Sequence, residues 1–165
     1  MALILRIVSR WTAWERENPE EIVDHNFRAP QGGTDLRPSL YETADDAAEI
    51  VRVMAEHSTG SNSVRLMRGV DLSGICPRDP IESPGGLRFA FTRDRHRELV
   101  LEDRGELIEI VRRLLPELAT RARVAEKSAM KAYVHEKVEA RDSEWLEFFT
   151  EFPDRARRYG VTLPD

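Results

Sequence analysis

Along the first hundred residues the apolar positions recur mostly with a period of two. From residue 104 they recur every three or four, so the pattern predicts a strand-rich part followed by a helical part. Residues 3–9 form the first predicted strand. Leu3, Leu5 and Ile7 share one face, and Ile4 and Val8 make the other face apolar too, as in a strand lying inside a sheet. Trp11 and Trp14 follow as lids over the core edge, because tryptophan brings a large apolar area with one polar handle. Asn18-Pro19-Glu20-Glu21 has the order of a helix start: a capping side chain, proline at the first helical position, then acids in the first turn. The helical pattern fades by His25, and residues 26–38 carry none. Loops of that length in compact domains are usually mobile or functional.

A short strand at 39–42 precedes a helix expected to be capped by Thr43, with Asp45 and Asp46 in its first turn and Ala47, Ile50, Val51 and Met54 on its buried face. It should end near His57, a residue placed to favour the helix dipole. Residues 64–72 read as the next strand, with Val64, Leu66, Val70 and Leu72 on one face. Arg68 falls on that same face, which leaves two explanations. Either a β-bulge at Gly69 turns it outward, or it points inward against an anion or carboxylate. Residues 73–86 are irregular and hold the lone Cys76. Residues 87–92, with Leu87, Phe89 and Phe91 on one face, and residues 99–102 read as an antiparallel hairpin. Its tip carries Arg93, Arg95 and His96, a basic spot that is either a solvated turn or a contact for an acidic or phosphate-bearing partner.

The helical part begins with a seam in which Ile108, Val111, Leu115, Leu118, Ala122, Ala125, Ala129 and Ala132 alternate at spacings of three and four, over a helix expected from 104 to 140 with a kink or break at Pro116. The first half of the seam is bulky and the second is all alanine, which admits a close backbone approach. Met130 and Val134, with Val138, form a second stripe on an adjoining face. The pair of stripes has two readings: packing on the protein's own sheet and last helix, or a partner or self-association surface over 118–138. Asp142-Ser143 should cap a last helix whose Trp145, Phe149 and Phe152 share a face, with Pro153 ending or bending it and the tail 161–165 frayed.

At 165 residues the chain fits one domain with a real core, mainly β over 1–102 and helical over 104–159. Charged residues at 33% and hydrophobic ones at 41% describe a globular chain. The formal charge of −5 argues against a general nucleic-acid binder, whose face would be basic. Lysine is confined to Lys127, Lys131 and Lys137, an arginine bias that a GC-rich bacterial genome also produces. One cysteine excludes an intramolecular disulfide and a multi-cysteine metal site. The apolar N-terminal run lacks the basic leader and cleavage site of a signal peptide, and no apolar stretch reaches membrane-spanning length, so a cytoplasmic location is expected.

No P-loop, dinucleotide fingerprint, nucleophile elbow or His-Glu-x-x-His motif is present, and the spacing of His25, His57, His96 and His135 gives no metal pair. No cofactor or metal is therefore expected, and no catalytic residue is assigned. The predicted architecture is α+β: a mainly antiparallel sheet of four or five strands packed on one face by the mid-chain helix and the long C-terminal helices. Its predicted core is Leu5, Ile7, Ile50, Met54, Leu66, Val70, Phe89, Phe91, Leu101, Val111, Leu115, Leu118 and Phe149. The expected function is a protein-interaction module, an accessory subunit or a small regulatory or immunity-type protein, using Ala122, Ala125, Ala129, Ala132, Met130 and Val134. The alternative is an enzyme or nucleotide-binding domain built from Arg68, His96 and Glu102.

Overall fold

A computed structural model describes residues 2–27, 36–59, 65–82 and 95–165. The elements in chain order are β1 (Ala2–Val8), α1 (Trp11–Glu15), α2 (Pro19–Asn26), β2 (Ser39–Ala44), α3 (Ala47–Ser58), β3 (Met67–Asp71), β4 (Ile81–Glu82) and β5 (His96–Glu98). Then come α4 (Arg104–Leu114), a 3-10 turn (Leu115–Glu117), α5 (Leu118–Arg121), β6 (Ala122–Ala125), α6 (Lys127–Glu139), α7 (Ser143–Glu151) and α8 (Pro153–Tyr159). The fold is α+β, and among the described residues the sheet has six strands rather than the four or five expected, ordered β4-β5-β2-β1-β3-β6 and antiparallel at every pairing.

The central strand explains the two-sided apolarity of its sequence. Leu3, Leu5 and Ile7 join Ile50, Val53 and Met54 of α3, Met130, Val134 and Val138 of α6, and Trp145 and Phe149 of α7 in one core. Val8 joins Leu40, Val70 and Leu72 with Trp14, Ile22, Leu99 and the α4 residues Leu107, Ile110, Val111 and Leu114 in a second core. The sheet is therefore covered on both faces, not on one. α4, expected to continue into the C-terminal helix, packs on the face opposite α6.

The expected 104–140 helix is the main correction. After Pro116 the backbone turns extended at Ala122, and Ala122–Ala125 pairs along β3 from Val70 to Met67. Strand pairing satisfies the backbone there, so the alanine seam is divided between a strand and a new helix. In α4 the buried positions are Leu107, Ile110, Val111 and Leu114; Ile108 of α4, Leu115 of the 3-10 turn and Leu118 of α5 are only partly covered.

Smaller differences have local causes. Asp46, not Thr43, caps α3 by accepting from the Glu49 amide at 3.1 Å, because Thr43 is still in β2 and buried. No bulge interrupts β3: Ile7 pairs with Gly69 and Val8 with Arg68 in unbroken register. A Cβ at Gly69 would stand 3.1 Å from the Met54 methyl, so this glycine serves the approach of α3 to the sheet. The first hairpin strand, 87–92, lies outside the described residues. Its partner starts earlier than expected, as β5, and Leu101 makes only an isolated bridge to Leu36. Leu66 is exposed rather than core. The tail 161–165 is not wholly frayed: Val161 and Leu163 pack on the first core. The caps at Asn18 and Asp142 form as expected.

Candidate interaction site

The six residues of the expected interaction surface do not form one surface. Ala125, Met130 and Val134 are in the core, Ala122 and Ala129 are half-buried, and Ala132 is exposed. The cover for the aromatic face of α7 comes instead from Tyr133, whose ring meets Trp145 edge-on at 5.9 Å, and from the buried stripe of α6. That stripe is core.

The enzyme-like trio is also dispersed. His96 is in β5 beside Tyr41, which belongs to the α3 face of the sheet, with ring centroids 5.4 Å apart. Arg68 is in β3, separated from β5 by β2 and β1, on the opposite face. Its guanidinium lies 5.2 Å over the Trp11 ring. It therefore neither swings out on a bulge nor sits in the core, but lies between apolar sheet and solvent with an aromatic cover. Glu102 follows Leu101 with its side chain 81% exposed, 3.9 Å from Arg78. No reacting geometry joins the three.

Arg95 and His96 do meet other polar groups, at the β2–β5–α3 corner. A cleft of about 550 Å³ there is lined by Ala2, Glu42, Thr43, Ala44, Glu49, Arg95 and Arg97. Arg95 bridges to Glu49 at 2.5 Å and Arg97 to Glu42 at 3.3 Å, so each arginine of the cleft already has a carboxylate. Next to it the Tyr41 hydroxyl and His57 Nδ1 are 2.8 Å apart. Burial pushes the Tyr41 phenol up to about 12 and moves the His96 imidazole below its usual range. Charge balance and a neutral phenol make this a polar corner rather than an anion receptor. Arg93 lies outside the described residues. Cys76 donates weakly to the Leu72 carbonyl, and burial, with Asp71 nearby, pushes its thiol up to about 11. A thiol raised in this way carries little thiolate at neutral pH.

The feature that sequence reasoning missed is the edge made by β6. Among the described residues β6 pairs with β3 on one side and with no strand on the other. Direct cross-strand partners share a face, so Val124 stands beside Arg68 on the side where Trp11 lies. Val124 is 47% exposed, and Leu66, just before β3, is 37% exposed. Tryptophan, arginine and exposed aliphatic side chains beside an open strand edge are the composition of protein-binding surfaces. The only sequence signal for this strand was its β-branched Val124 among alanines, which the helical spacing of those alanines outweighed. Among the described residues no helix is long and apolar enough to cross a membrane, and no cluster of three or more metal-ligating side chains is found. Compared with known proteins, the chain is matched by no family model, no curated protein and no solved structure.

Proposed function

We propose that the chain is a protein-interaction module that docks a partner strand at the β6 edge, serving as an accessory or regulatory subunit in the cytoplasm. The observation that carries the reading is Val124, a β-branched side chain 47% exposed on a strand with one unoccupied side among the described residues. Backbone groups on such an edge recruit another strand, and side chains above and below it set the choice. The opposite edge is a poorer candidate because β4 has only two residues, though its Ile81 is 43% exposed. An enzyme built from Arg68, His96 and Glu102 gains no support from their separation.

The test is co-purification of the tagged full chain from its native host, wild type against Val124→Glu. Val124 is outside both cores, so the variant should keep its circular dichroism and melting temperature. Partners retained by wild type and absent with the variant support the reading. Identical recoveries, self-association included, remove the edge as the docking surface.

A further inference from the structure

We propose that the occupant of the β6 edge is a second copy of this chain, joined strand to strand about a twofold axis perpendicular to the sheet and locked by Glu126 of each copy against Arg68 of the other. This rests on the docking reading of β6 and deepens it. Such an axis makes the two edge strands antiparallel and keeps the same face of both sheets together, so one residue of β6 must lie opposite its own copy. A centre at Arg123 sets like charges against each other. A centre at Ala125 leaves Val124 opposite Glu126 and runs the pairing into the first turn of α6, which begins at Lys127. A centre at Val124 places the two exposed valines together, with Arg123 opposite Ala125 and Ala122 opposite Glu126.

The charges then complement one another. Arg68 stacks on Trp11 and has no carboxylate partner among the described residues. Glu126 is exposed, extended in backbone and makes no side-chain cap to α6. Alternation along the strand puts Glu126 on the face of Val124 and therefore of Arg68. In the valine-centred register, Glu126 of one copy lies opposite Ala122 and so two strand spacings, about 10 Å, from Val70 on the other copy's β3, with Arg68 two residues, about 7 Å, farther along it. A glutamate and an arginine side chain together span that gap, passing over the small Val124. Arg123 is already held by Asp45 at 3.0 Å, so it does not compete. The paired stretch is short, so the contact belongs with small, weak interfaces, and a reversible dimer is expected.

Sedimentation equilibrium of the full chain, from low micromolar to millimolar, tests this with Arg68→Glu, Glu126→Arg and Val124→Glu, each checked for native circular dichroism. Wild type should dimerise reversibly, and each single variant should weaken the dimer by tenfold or more. Mixing Arg68→Glu with Glu126→Arg should restore association, since both cross-pairs are then opposite in charge while each homodimer has like charges. Rescue on mixing is an outcome that a merely structural role of Arg68 would not give. A wild type that stays monomeric, or mixed variants that stay apart, overturns the self-pairing. If wild type is monomeric yet a host partner is still lost with Val124→Glu, docking at the edge stands and only the second copy fails.

Discussion

Glu56 is a carboxylate on α3 that is 3% exposed, yet it faces helix α6 rather than water. Its Oε1 accepts from Arg52 Nε at 3.0 Å and from the Tyr133 hydroxyl at 3.1 Å, tying the two helices together. Burial raises its pKa above the ordinary 4.5, against the lowering effect of the Arg52 and Tyr133 hydrogen bonds. The sign follows from proton linkage. Between 4.5 and the raised value the folded chain holds more protons than the unfolded chain, so this residue's contribution is complete below 4.5 and is lost as pH rises through the folded value. Glu56→Gln keeps an oxygen acceptor for both donors and removes the charge, so its stability at pH 7 should lie within ~1 kcal/mol of wild type. Glu56→Ala leaves the half-buried Tyr133 hydroxyl without its acceptor, while Arg52 keeps Glu49 at 3.7 Å. That loss should amount to about 1–3 kcal/mol. Urea unfolding of the three proteins from pH 4 to pH 8 reads both effects. The difference between wild type and Glu56→Gln should fall as pH rises and then level off. A difference independent of pH, or a Glu56→Ala protein as stable as wild type, would refute the reasoning.

Three further outcomes follow from packing and charge. Phe149→Ala empties a fully buried ring position surrounded by Trp145, Phe148 and Tyr159, and thermal or urea unfolding should show a loss of about 3–5 kcal/mol. Ala125→Glu puts a charge into the first core and should abolish cooperative folding by circular dichroism, whereas Ala132→Glu on the exposed side of α6 should melt as wild type does; equal behaviour of the two would contradict the division of the seam. Cys76 should react with a thiol reagent at pH 7 far more slowly than a free peptide cysteine and reach peptide rates only in denaturant, because burial holds its thiol near 11; rapid labelling of the native chain would show an accessible thiolate.

Local chemistry was legible where the neighbours in sequence supply the reason. Asn18-Pro19 and Asp142-Ser143 start helices because cap and first turn are adjacent in the chain. The two-sided apolarity of β1 correctly placed it inside the sheet. Long-range pairing was not legible. Ala122, Ala125, Ala129 and Ala132 fit a helix by spacing, but β3, more than fifty residues earlier, offers the first two a strand partner, and nothing in the local pattern records that. At Gly69 the sequence suggests a bulge as one of two explanations for Arg68, because the helix that crosses above the glycine comes from elsewhere in the chain. The candidate site fared similarly. Arg68 stands out in the sequence as a charge on an apolar face, and the structure places it beside β6, but its aromatic cover and exposed neighbour come from α1 and β6. Grouping it with His96 and Glu102 failed because sequence shows which residues lie on strands without showing strand order.

β6 also carries the chain from one layer to the other, since α4 packs on one face of the sheet and α6 on the opposite face. Everything after it, residues 126–165, is held to the rest by the β6–β3 ladder and by packing against α3 and the sheet. Opening that ladder frees the covalent leash of three helices at one point, which makes them a natural cooperative unit of partial unfolding. Amide hydrogens in α6, α7 and α8 should then exchange with one shared free energy of opening, lower than that of the β1–β2 pair, and anything that adds a strand outside β6 should slow their exchange together, far from where it binds.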